Sequence, residues 1–87
     1  MKHASQATLD LLADLLESIR KLPGVTERTP GCFYRKSSAL LHFHEDGAGL
    51  FADLKRSGAW ERMPVNTAGE RAACLHATAQ AANEQHT

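Results

Sequence analysis

An α+β fold, ordered α-β-β-β-β-α around a four-stranded antiparallel meander, is predicted by three features of the sequence. Leucines recur at helical spacing over residues 5–21. The period drops to two over residues 31–65, and Thr67-Ala68-Gly69-Glu70 then opens a second helix over residues 67–82. The 87 residues suit a single domain spanning 1–87. A chain of this size buries about 60–65% of its unfolded surface, so self-association would add usefully to its stability.

The first helix takes its stripe from Leu9, Leu12, Leu15, Leu16 and Ile19. Ser5 or Thr8 can cap it, and Arg20 and Lys21 suit the negative end of its dipole. Leu22-Pro23-Gly24 stops it, because proline disfavours helical backbone in its predecessor. The segments 31–36, 39–45, 48–55 and 59–65 follow as strands, separated by Ser37-Ser38, Asp46-Gly47 and Ser57-Gly58. Asp-Gly between two alternating runs is a strong hairpin signal, since both residues tolerate positive φ. The closing helix begins with a capping box: Thr67 accepts from the amide of residue 70 and Glu70 reaches back. Its small-residue face is read as Ala68, Ala72, Leu75, Ala79 and Ala82.

Two-residue turns at these sites set a register. Glu45 then pairs with Ala48, Phe43 with Leu50, Asp53 with Arg62, and Phe33 with His42. One sheet face becomes apolar (Cys32, Tyr34, Leu41, Phe43, Leu50, Ala52, Leu54, Met63, Val65) and should lie under the helices. The other carries Phe33, Arg35, Leu40, His42, His44, Phe51, Asp53, Lys55, Trp60 and Arg62. Opposite charges on Asp53 and Arg62 support this pairing independently.

The second face is where function is sought. Phe33, Phe51 and Trp60 are large apolar groups that no remaining helix would cover, rimmed by Arg35, Asp53 and Arg62. Such a patch suits a partner surface, a homodimer contact or a small-ligand site. His42 and His44 stand two apart on one strand, with roots about 7 Å apart on one face. With Asp53 they form an alternative reading, a divalent-metal or acid–base site. The spacing alone nominates no catalytic residue and no cofactor, and the chain is read as a binding domain before an enzyme. Phosphate-binding glycine loops are absent from the sequence.

Ten basic and ten acidic side chains cancel, which argues against a duplex nucleic-acid partner. No apolar run approaches a membrane span. Asp10 and Asp14 interrupt the N-terminal apolar stretch, so no export signal is read there. Cys32 and Cys74 are then expected as reduced thiols in a cytoplasmic protein.

The stretches LPGVTER (22–28), FYR (33–35), LLHFHEDGAGLFADLK (40–55) and WERMPVNTAGERAACL (60–75) together resemble a family of small uncharacterised bacterial proteins. The opening LPGVTER and the His-x-His strand are also distantly similar to the luciferase-like domain family, and the helix-then-meander order to YjbR-like proteins. The resemblance spans roughly residues 9–76. It implies a bacterial, cytoplasmic α+β domain and carries over no catalytic residues. Light-emitting chemistry is not implied, because the chain is far too short for a flavin barrel.

Overall fold

The computed structural model describes residues 2–84. The elements run β1 (Lys2–His3), α1 (Gln6–Leu11), α2 (Ala13–Arg20), β2 (Val25–Thr29), β3 (Cys32–Arg35), β4 (Ser38–Asp46), β5 (Gly49–Arg56), β6 (Ala59–Pro64) and α3 (Ala68–Glu84). Strands β2 to β6 form an antiparallel meander in chain order, and β1 pairs with β4. The architecture is α+β with helices toward both ends, but the meander has five strands where four are predicted.

The added strand, β2, is short and polar. It forms a hairpin with β3 around Pro30-Gly31, where Gly31 takes φ +78°. Proline fixes the first turn residue and glycine accepts the positive φ of the second. The first helix is also divided. Leu12, at φ −98° and ψ 14°, separates α1 from α2, while the Ser5 hydroxyl caps α1 by accepting from the Thr8 amide at 3.2 Å. The predicted stripe stays inward across both pieces: Leu9, Leu12, Leu15, Leu16 and Ile19 are all buried, whereas Leu11 is exposed.

The capping box of α3 forms as the sequence requires. Glu70 N–H donates to Thr67 Oγ1 at 3.1 Å, and Glu70 Oε1 accepts from the amides of Thr67 and Asn66. The buried face of α3 is rotated from the expected one. Cys74, Ala77, Thr78, Ala81 and Ala82 are buried, whereas Ala68 and Ala72 are exposed. Small side chains here let α3 lie close against α2 and over β4, β5 and β6.

The hairpins test the predicted register one by one. Strands β5 and β6 pair Ala52 with Met63, Asp53 with Arg62 and Lys55 with Trp60, as expected. Ser57 and Gly58 both take positive φ, 50° and 82°, which matches the right-handed twist of the strands. The β4–β5 turn instead centres on Gly47-Ala48, with Asp46 Oδ1 accepting from Ala48 N–H at 2.7 Å. Phe43 therefore pairs with Ala52 and His42 with Asp53. This moves partners by two residues, so the side chains paired between β4 and β5 keep their expected faces.

The β3–β4 hairpin differs in kind. Its turn is Lys36-Ser37, and the pairing jumps from Phe33↔Leu41 to Tyr34↔Ala39, leaving Leu40 as an extra residue. Such a bulge shifts one strand by a single residue and inverts its faces. Phe33 and Arg35 consequently point toward the helices, and Cys32 and Tyr34 away from them. Phe33 is fully buried in the core with Leu41, Phe43, Leu54 and Val65, where each large side chain stabilises by about 1.5–3 kcal/mol.

Strand β6 forms one edge of the sheet. Val65 N–H donates to Leu50 O at 3.0 Å, so by alternation the peptide nitrogens of Trp60, Arg62 and Pro64 face outward. Proline contributes no N–H there. Among the described residues, no helix is long and apolar enough to cross a membrane.

Candidate functional site

The sheet face turned away from the helices is organised in rows that cross the strands. One row runs Cys32, His42, Asp53, Arg62, each the Cα partner of the next. The neighbouring row runs His3, His44, Phe51, Pro64. Lys55 and Trp60 make the pair beyond Asp53 and Arg62. Of the ten residues expected on this face, seven are on it: His42, His44, Phe51, Asp53, Lys55, Trp60 and Arg62; Leu40 is instead fully buried in the core. Phe33 and Arg35 are on the opposite face, for the reason given by the Leu40 bulge.

Arg35 has a different environment altogether. It is 8% exposed, and its Nε donates to the Ala82 carbonyl of α3 at 3.3 Å. It lines a cleft of about 600 Å³ between Leu22-Pro23-Gly24 and the end of α3. That cleft is on the helix side, away from the imidazoles.

Among the residues that join this face, though the sequence places them elsewhere, are Cys32, Tyr34 and His3. Cys32 arrives because β3 is inverted, and it is half-buried. His3 arrives through β1, which occupies the part of β4's edge that β3 leaves open. Ala4 N–H donates to Phe43 O at 3.1 Å and the Ser5 amide donates to Glu45 Oε1, fixing the segment that precedes α1. A two-residue strand has no periodicity to detect. The only signal in the sequence was a histidine within reach of the first helix's start.

The polar geometry centres on Asp53. Arg62 donates to it twice, Nε to Oδ1 at 2.8 Å and a terminal nitrogen to Oδ2 at 2.9 Å. His44 Nε2 stands 3.0 Å from the same Oδ2. The Arg62 guanidinium, aided by the nearby His44 and His42, holds the Asp53 carboxyl below its usual range against the opposing effect of burial. Both carboxylate oxygens are thus engaged, which leaves Asp53 better suited to orienting His44 than to acting alone.

The rings form a cluster around this pair. His3 and His44 have centroids 4.9 Å apart, His3 and His42 6.2 Å, and His42 and His44 6.3 Å. His42 also stands 4.9 Å from Trp60, tilted by 40°. Burial, followed by the proximity of His44 and His3, pushes the His42 imidazolium toward deprotonation; Asp53 opposes this. Trp60 is 48% exposed, a large apolar surface left open at the rim. Farther along the sheet, Arg28 covers the Tyr34 ring at 4.3 Å.

Comparison with models of protein families, with curated proteins and with solved structures gives no match to this chain. The reading of function therefore rests on the chemistry of the face.

Proposed function

We propose that this chain is a non-catalytic binding domain whose open sheet face receives a partner, with Trp60 as the anchor. The observation that carries this reading is the half-exposed indole seated against His42, on a face that none of α1, α2 or α3 covers. Tryptophan at the centre of a desolvated contact is a frequent hot spot, and the Asp53–Arg62 pair beside it supplies a polar rim. The first partner to consider is a second copy of the chain, because a domain this small gains core by pairing. A small aromatic or anionic ligand on the same residues is the other.

The test is native mass spectrometry of untagged protein across a range of concentrations, beside Trp60→Ala. A dimer that becomes monomeric in the variant supports self-association. A wild-type monomer throughout removes it, and a ligand screen read on the Trp60 indole N–H resonance then decides the rest. No shift of that resonance with any aromatic or anionic compound would sink the binding reading as well.

A further inference from the structure

We infer that His3, His42 and His44 form a binding site for a single zinc-class divalent cation, with Asp53 orienting His44 from behind. It goes beyond the partner reading, which needs no metal, although His42 touches both Trp60 and the proposed site.

The argument begins with His44. Its Nε2 faces Asp53 at 3.0 Å, so a neutral His44 carries its proton on that nitrogen and presents a lone pair at Nδ1. That Nδ1 is buried and has no hydrogen-bond partner among the described residues. A buried acceptor without a donor is costly and calls for an explanation. An imidazole held by a carboxylate through one nitrogen, with the other free, is the arrangement that metal-binding histidines adopt.

The second observation is the number and spacing of neighbouring imidazoles. Two rings ligating one tetrahedral zinc through bonds of about 2.0–2.1 Å place their centroids on the order of 5 Å apart. The three separations here, 4.9, 6.2 and 6.3 Å, lie at or just above that distance. Among the described residues no three His, Cys, Asp or Glu side chains already converge on one cation position. The inference requires the His3 and His42 rings to turn toward His44 Nδ1 while the strands stay in place. His3 is exposed and His42 half-buried, and rotamer changes in such side chains are fast and inexpensive.

Chemistry favours this ligand set over the carboxylate alternative. Asp53 is already bound at both oxygens by Arg62 and faces His44 at Oδ2, which suits it to orient His44. Three imidazoles leave a zinc ion with an open fourth position toward solvent, while the sheet supplies rigid anchoring through β1 and β4.

The test uses untagged protein stripped with a chelator, then titrated with Zn²⁺ by calorimetry and with Co²⁺ by visible absorption. Variants are His3→Ala, His44→Ala, Asp53→Asn and His76→Ala, each checked for its native circular dichroism. One equivalent of Zn²⁺ is expected, with a tetrahedral Co²⁺ spectrum. Affinity should fall at least tenfold in His3→Ala and in His44→Ala, and by about 10–100-fold in Asp53→Asn. His76→Ala, at an exposed position of α3 outside both the cluster and the partner face, should bind as wild type. The His3 side chain is exposed, so its variant is expected to retain the fold even where another does not. Absence of stoichiometric binding overturns the inference. So does binding that survives both His3→Ala and His44→Ala, which would place the ion elsewhere, for example at the exposed His76.

Discussion

Phe33 and Leu41 face each other as Cα partners across β3 and β4, and neither exposes any surface. The bulge at Leu40 creates this relationship by turning Phe33 inward. Truncating Phe33 to alanine should therefore cost about 3–5 kcal/mol of unfolding free energy, as expected for a filled core position. Urea denaturation measures it. A loss below about 1 kcal/mol would mean that Phe33 is on a solvated face.

Gly49 holds φ +133°, and a Cβ built there would stand 2.6 Å from the Asn66 side-chain oxygen. That oxygen accepts from the Leu50 amide at 2.8 Å and joins β5 to the approach of α3. Gly49→Ala must strain the backbone and displace this bond together, a combined cost on the order of 2 kcal/mol. The thermal midpoint should fall by several degrees, whereas Gly47→Ala, with open space at its Cβ, should change it little.

The two thiols should separate cleanly by reactivity. Cys74 is fully buried and its thiol is pushed up to about 11, chiefly by burial. It is protonated and shielded at neutral pH, and the thiolate is the reactive form. Metal-free native protein should take up one alkyl group, at Cys32, and the second only on unfolding. Peptide mapping after iodoacetamide treatment tests this; native labelling of Cys74 would contradict the packing of α3.

Asp53 and Glu27 set the response to acid. Arg62 depresses the first and Arg20 the second, each below its usual carboxylate value. The unfolded chain thus takes up protons at these sites before the native one does. Their stabilisation is fully present above the ordinary values of 3.8 and 4.5 and is lost as pH falls through the depressed native ones. Arg20→Gln and Arg62→Gln should each move the acid-unfolding midpoint upward. An unmoved midpoint in both would show that the pairs contribute nothing.

Trp60, the single tryptophan, reports on its neighbour. Burial lowers the His42 imidazole below the ordinary histidine value, and a protonated imidazole in ring contact quenches indole emission. Fluorescence of the metal-free protein should drop with a midpoint below 6.5, the ordinary histidine value. The transition should vanish in His42→Ala. The same sign applies to stability, which is present above 6.5 and declines as pH falls through the native value.

Local signals were legible where they were self-contained. Ser57-Gly58 fixed the last hairpin and with it the Asp53–Arg62 pair; Thr67 and Glu70 fixed the start of α3. The faces of β4, β5 and β6 followed from alternation, and so did His42, His44 and Trp60 as neighbours. The inversion of β3 was hidden because Leu40 and Leu41 are both apolar, so either could be read as the inward residue. Strand β2 was hidden because an edge strand needs little hydrophobic surface, and Thr26, Glu27 and Arg28 look like a loop. His3 was hidden because its position depends on a partner about forty residues away, a relationship no local pattern carries.

Pro64, at the outer border of β6, has a consequence for how molecules of this chain can meet. An incoming strand would use the outward row of amides as a template, and proline breaks that row at its end while Arg62 adds charge beside it. Ladder growth from this border, the route to domain-swapped or fibrillar stacks, is thereby discouraged. Replacing Pro64 with threonine would restore the missing donor and leave the border open to templated extension.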